Sequence, residues 1–205
     1  MDELPEQDTA KKTRPAKGER RIQILQTLAH MLENPAGDKI TTAGLAKSLG
    51  VSEAALYRHF ASKAQMFEGL IEFIESSLFG LLNQIAASDA PANEQLKKMV
   101  LVLLVFAQKN PGMARVMIGD ALVNEHDRLQ QRITQLIERL SATLKQTLRN
   151  AAVEELWMPA VEVGVYSDML MSWVVGRWHG FVRSGFKRMP DDAYDAAWFT
   201  LNPMR

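Results

Sequence analysis

Apolar positions recur along most of the chain at spacings of three and four, the mark of helices that bury one face. Ile22, Leu25, Leu28, Ala29 and Leu32 predict a first helix over residues 20–34, broken by Asn34-Pro35-Ala36-Gly37-Asp38. Two short apolar sets follow, Leu45/Ala46/Leu49 and Ala55/Leu56/Phe60, parted by Gly50-Val51. Phe67, Leu70, Ile71, Ile74, Leu78, Leu81, Leu82 and Ile85 then fall close to one line at about 100° per residue. They predict a long fourth helix from a Ser62 cap to about Ala87. Met66 and Phe73 sit off that line, so either a second element packs there or the two residues help line a groove. Glu94–Asn110 is a fifth helix whose centre, 99–107, is apolar all round and so is packed on several sides. Pro111–Ile118 predicts a short helix stopped by Gly119. Two long helices close the pattern, 121–150 with a heptad-like leucine line and, after a loop at 151–159, a last one over 160–186. A tail with Pro190 follows Lys187 and ends with Tyr194 and Trp198. No strand alternation and no internal repeat is present, so the fold class is all-α.

The stretch Thr41–Lys63 organises the rest. Thr41 or Thr42 can cap one short helix, because a hydroxyl accepts the free N–H groups of a first turn. Gly50 ends it, since glycine takes the left-handed conformation without a clash. Ser52 is placed to cap the second helix. Ala55, Leu56 and Phe60 point inward, leaving Ser52, Glu53, Ala54, Tyr57, Arg58 and His59 outside. This is the pattern of a helix-turn-helix, whose second helix enters the major groove of double-stranded DNA by its N-terminal end. Ser52 and Ala54 are small enough to approach base edges, while Tyr57, His59 and Lys63 can reach phosphates. The segment Ile40–Ala46 continuing into Val51–Lys63 resembles the DNA-binding domain of the TetR family of bacterial regulators. The resemblance implies a three-helix DNA-binding domain at residues 18–63 and a helical dimerisation body at 64–205; residues 1–17, with no apolar periodicity, Pro5, Pro15 and mixed charge, read as a flexible basic arm.

Charge sharpens that division. The net charge is zero, yet between Thr9 and Lys63 ten basic residues stand against four acidic ones. A basic module on a mildly acidic body suits a protein that meets phosphate with one end. Lys11, Lys12, Arg14 and Lys17 of the arm either reach the DNA or form a solvated tail. The chain has no cysteine, which removes disulfides, thiolate metal sites and cysteine catalysis, and fits a reducing cytoplasm. No apolar run approaches the ~20 residues of a membrane helix. His30, His59, His126 and His179 share no helical pairing for a metal. No phosphate loop and no nucleophile elbow is present, so an enzyme, a metal centre and a bound cofactor are all unsupported.

The two last long helices carry more apolar surface than a small monomer hides. They are read as half of a four-helix interface in a homodimer, with Leu136, Leu140, Leu144 and Trp173 as its contacts. Arg21–Glu33, Ile40–Lys63, Met66–Glu75, Asn110–Arg115, Gly119–Ile133 and Phe181–Lys187 together resemble one branch of the TetR family, the nucleoid occlusion factors. That resemblance implies a cytoplasmic, nucleoid-associated dimer on pseudo-palindromic sites, several dimers gathering on one DNA. It also implies binding to the C-terminal tail of the division protein FtsZ, which would block division-ring assembly over the chromosome. The tail groove, by the same resemblance, lies between the fourth and fifth helices, with Phe73 on one wall and Val102, Val105, Lys109 and Asn110 on the other. The competing expectation is a ligand-gated repressor with Trp173, Trp178 and His179 lining a pocket, the plainer reading of these three being core or dimer packing.

Overall fold

The computed structural model describes residues 17–34, 40–154 and 162–202. The break at residues 35–38 and all but the last residue of the N-terminal arm lie outside them; of the loop expected at 151–159, residues 151–153 are instead helical and residues 155–159 lie outside. The elements are α1 (Lys17–Met31), α2 (Thr42–Leu49), α3 (Glu53–Tyr57), α4 (Lys63–Ala86), α5 (Ala92–Lys109), α6 (Pro111–Met117), a 3₁₀ turn (Asp120–Leu122), α7 (Asp127–Val153), α8 (Val163–Arg183) and α9 (Tyr194–Leu201). Among the described residues there is no strand.

Local chemistry sets these boundaries. The Ser62 hydroxyl accepts the Gln65 N–H at 3.2 Å, and the Gln65 side chain accepts the Ala61 N–H at 2.9 Å, a reciprocal cap that starts α4. The helix expected over 121–150 starts later, at Asp127. Gly119 (φ 78°) and Asn124 (φ 63°) take left-handed conformations that no helix continues through. His126 then caps α7, its Nδ1 accepting the Arg128 N–H at 3.3 Å.

The core is built around α5, which packs against α4, α6, α7 and α8. Met99, Val100, Leu103, Leu104 and Ala107 are fully buried there, as a helix apolar all round requires. Trp178 of α8 is also fully buried and donates its indole N–H to the Leu103 carbonyl at 3.0 Å. The stripe on α4 is core as expected except at its end, where Leu81 is exposed and Ile85 half-buried. Ion pairs join α4 to α7: Glu68 with Arg128 at 2.6 Å, and Glu75 with Arg132 at 2.8 Å and Arg139 at 3.6 Å.

The expected tail is instead a docked element. Tyr194 and Trp198 are buried, and the Tyr194 hydroxyl donates to the Lys97 carbonyl at 2.6 Å. Burial, with the Asp195 carboxylate beside it, pushes that hydroxyl above its ordinary range and keeps it a donor. The Arg177 guanidinium gathers the turn before α9, donating to the carbonyls of Pro190 (2.7 Å), Met189 (3.2 Å) and Asp192 (2.7 Å).

The DNA-binding end is locked to the body by a close approach of α1 and α6. A Cβ at Gly112 would lie 1.9 Å from the Ala29 carbonyl oxygen, so only glycine fits. Next to it the Arg115 guanidinium donates to the carbonyls of Leu32 and Asn34, both at 3.2 Å, and pairs with Asp120 at 2.5 Å. Gly112→Ala therefore forces α1 off the body. Such overpacking costs about 1–3 kcal/mol or more. Urea denaturation followed by circular dichroism is expected to show a loss of at least ~2 kcal/mol; an unchanged midpoint would mean that the two helices separate freely.

Candidate nucleic-acid interface and partner groove

The two short helices meet as their caps dictate. Thr41 accepts the Gly44 N–H at 3.0 Å and starts α2. Gly50 ends it at φ 64°, and Ser52 accepts the Ala55 N–H at 3.3 Å to start α3. Leu45, Ala46, Leu56 and Phe60 are buried beneath. A brace crosses the turn, the Thr42 hydroxyl donating to the Glu53 carboxylate at 2.6 Å. Thr41, Thr42 and Glu53 thus hold the unit together, and Ser52, Ala54, Tyr57 and Arg58 form its exposed outer side.

Two residues expected at phosphates are placed differently. Lys63 forms an ion pair with Glu125, both side chains largely shielded, at 22% and 12% exposure. It ties the start of α4 to the segment before α7, and its charge is already matched. His59 is half-buried; its carbonyl accepts a 2.8 Å bond from Arg21, and its Nδ1 is enclosed without a partner. Arg21 lies 4.2 Å from the Phe60 ring centroid, fastening α1 to the base of α3. Sequence spacing could not reveal the Lys63 pair, since Glu125 is remote in sequence.

Phe73 is 39% exposed, whereas Met66 is core. The concavity beside Phe73 is walled by Ile22, Leu25 and Gln26 of α1, Leu70 of α4 and Met113 of α6. Gln26 and Met113 also line an adjoining cavity of about 170 Å³ that contains His30, Asn110 and Gly112. Phe73 and Asn110 therefore border two adjoining depressions between the DNA-binding unit and the body, the one beside Phe73 being shallow, with room for about 10 Å³. Val102 and Val105 are half-buried on α5, and Lys109 is exposed at its end. The Asn110 amide donates to the Phe106 carbonyl at 2.8 Å. Ile22, 49% exposed, was legible only as part of the α1 apolar face, with nothing to mark it as surface.

The expected dimer contacts need correction. Leu136, Leu140 and Leu144 have no exposure within a single chain, so they are core and no second chain can reach them. Trp173 is half-buried against the C-terminal cap, 6.4 Å from the Tyr194 ring. The outer surface of the same helix pair holds a concavity of about 620 Å³ lined by Ile137, Ser141, Ala142 and Lys145 of α7 with Asp168, Met171 and Ser172 of α8. Val165 and Met169 of α8 are also exposed. Nor do Trp173, Trp178 and His179 line a common pocket, because Trp178 is buried in the core while His179 is exposed.

Among the described residues no group of three or more His, Asp or Glu could hold a metal ion. No helix there is long and apolar enough to cross a membrane.

Residues 36–70 match the family described as bacterial regulatory proteins, tetR family. Residues 92–204 match the SlmA-like C-terminal domain, described as tetracyclin repressor-like. The nucleoid occlusion factor SlmA of Alteromonas mediterranea is 47% identical over 188 residues, covering 92% of this chain and 96% of its own. That of Idiomarina loihiensis is 48% identical over 182 residues, covering 89% and 93%. Among solved structures, FadR of Bacillus subtilis in complex with stearoyl-CoA aligns with a TM-score of 0.75 at 16% identity, covering 90% of this chain and 98% of its own. FadR of Bacillus halodurans gives 0.76 at 15% identity, covering 92% and 97%. These two share the fold.

Three outcomes test the placements. Leu140→Ala is expected to lower unfolding stability by about 2–5 kcal/mol, the range for an emptied core position. Met169→Glu is expected to leave stability within ~1 kcal/mol while weakening self-association in sedimentation, since it alters surface and no core. For Lys63, Glu125→Gln is expected to reduce DNA affinity as much as Lys63→Met, with the salt slope unchanged in both. A slope reduced by about one in Lys63→Met alone would return this lysine to a phosphate.

Proposed function

The chain belongs to the SlmA family of nucleoid occlusion factors, DNA-binding dimers of the tetR type, and from that membership we propose that it occludes division by holding the C-terminal tail of FtsZ in the furrow beside Phe73. The observation that carries the proposal is the exposed Phe73 ring, on the helix that leads directly out of the helix-turn-helix. A large aromatic left outside a well-filled core, bordered by apolar walls, is the kind of surface that anchors a peptide side chain. Val102 and Val105, half-buried on α5, would supply the opposite apolar wall. Lys109 supplies a charge at the end for an acidic group of the tail, and Asn110 an amide.

DNA is engaged by the exposed side of α3, with Ser52 and Ala54 at base edges and Tyr57 and Arg58 at the backbone. The two copies are joined through the outer faces of α7 and α8, which sets two recognition helices about one helical turn apart, ~34 Å, on a pseudo-palindromic site. A flexible tail loses entropy on ordering, so each groove binds weakly. Two grooves per dimer, and several dimers on one DNA, raise the effective concentration and strengthen capture. Occlusion would then act in the cytoplasm on the nucleoid, where such sites lie.

Phe73→Ala and Lys109→Glu are expected to weaken binding of a labelled FtsZ tail peptide in fluorescence polarisation. An aromatic anchor contributes at least ~2 kcal/mol, about thirtyfold in affinity. DNA affinity in the same variants is expected to stay within a few-fold. Equal tail binding by a folded Phe73→Ala protein would remove the furrow from the account; tail binding lost together with the fold would make the ring a core residue.

A further inference from the structure

Gly185 and Phe186, just past the end of α8, both take left-handed conformations, at φ 64° and 65°. Glycine does so freely, whereas a bulky side chain is strained there. The surroundings hold the strained turn in place. The Phe186 ring packs on Phe181, with centroids 5.2 Å apart. The Ser184 hydroxyl accepts the N–H groups of Lys187 at 3.2 Å and Arg188 at 2.9 Å. The turn so fixed displays three exposed cations, Arg183, Lys187 and Arg188. Arg188 lies back over α8, its Cδ 3.7 Å from where a Cβ on Gly180 would stand. Arg128, Arg132 and Arg139 of α7 are matched by Glu68 and Glu75. Among the described residues the three cations of the turn have no carboxylate partner. Asp191 and Asp192 close the loop, and Asp191 meets the Gln108 amide of α5. Holding like charges side by side costs free energy unless an anion meets them.

Their place in the fold says which anion. α7 and α8 run antiparallel, in a register marked by the Ser141 hydroxyl donating to the Asp168 carboxylate at 3.0 Å. The C-terminal end of α8 is thus level with the N-terminal end of α7, next to the Lys63–Glu125 pair at the root of the DNA-binding unit. α8 also packs against α6, and α6 is pressed on α1 at Gly112. The basic turn therefore stands at the DNA-facing end of the body. Arg183 ends the exposed stripe of α8, after Val165, Met169, Ser172, Gly176 and His179. That stripe belongs to the face proposed to join the two copies. Twofold symmetry then brings the two turns together near the axis, three cations from each copy, over the middle of the DNA site. Between two neighbouring major-groove contacts, the minor groove and its phosphate strands face the protein there.

We infer that Arg183, Lys187 and Arg188 form a second DNA contact, which belongs to the body and meets the backbone phosphates between the two half-sites. This inference rests on the α7–α8 dimer reading. The contact adds affinity without sequence preference, because phosphates carry no base identity.

The test uses the full-length dimer and a duplex selected from randomised sequences. A variant with Arg183→Gln, Lys187→Gln and Arg188→Gln together is expected to bind it about tenfold more weakly at physiological salt, with the same preferred sequence. The slope of log affinity against log salt is expected to fall by about two or more, since each phosphate contact contributes roughly 0.9. Lys98→Gln with Arg149→Gln, at the far end of the body, is expected to change neither. Methylphosphonates in place of the central phosphates are expected to weaken the native dimer several-fold and to leave the triple variant unaffected, a coupling that a general loss of stability does not produce. Native binding indifferent to the methylphosphonates, or a folded triple variant with an unchanged slope, overturns the inference. So does a triple variant that keeps its DNA affinity but loses binding to phosphatidylglycerol vesicles, which would assign the turn to a membrane. Sedimentation of Met169→Glu in the same buffer separates the two readings. Undiminished self-association removes the dimer reading and the inference with it, whereas weakened self-association with indifferent methylphosphonates removes the body contact alone.

Discussion

The carbonyl of Ala29 stands where any side chain at position 112 would have to be. That single steric fact sets the relation between the part of the molecule that meets DNA and the part that meets everything else. With α1 pressed on α6, Arg115 reaches the carbonyls at the end of α1, and Lys63 reaches Glu125 from the start of α4. Three contacts of different chemistry, one steric, one hydrogen-bonded and one ionic, hold the helix-turn-helix at a fixed angle to the body. The ion pairs between α4 and α7 continue the same fixation upward. A pair of recognition helices can match the spacing of a DNA site only if the bodies that carry them do not let them swing.

Much of this was legible in the chain. The caps and the turn of the DNA-binding unit depend on residues three or four apart, so Gly50 and Ser52 were readable directly and the first cap was narrowed to Thr41 or Thr42. The central place of α5 followed from a run with no polar face. The start of α7 was not readable, because leucine periodicity says nothing about left-handed residues such as Asn124 that interrupt a helix upstream. The C-terminal helix was missed for a related reason. Its anchor is Arg177, which bonds backbone carbonyls, and a carbonyl leaves no signature in a sequence.

The sites divide along the same line. Ser52, Ala54, Tyr57 and Arg58 lie on the exposed side that helical phase assigns them. Phase also placed Phe73 away from the buried stripe of α4, and the ring is indeed half outside. Phase could not say what faces it, and the wall turns out to include α1. Leu136, Leu140 and Leu144 show the opposite limit. A heptad-like leucine line fits a core and an interface equally well, and the chain fills its own core first. The Lys63 charge looked available for phosphate until its distant acid was seen.

The central claim is that DNA-bound dimers of this chain act on FtsZ through its tail. Light scattering of FtsZ polymers tests it most directly, with the protein loaded on a DNA site and with FtsZ either intact or truncated at its C-terminal tail. Scattering is expected to fall for intact FtsZ and to stay unchanged for the truncated form. An equal fall for both, or no change in either, would contradict it.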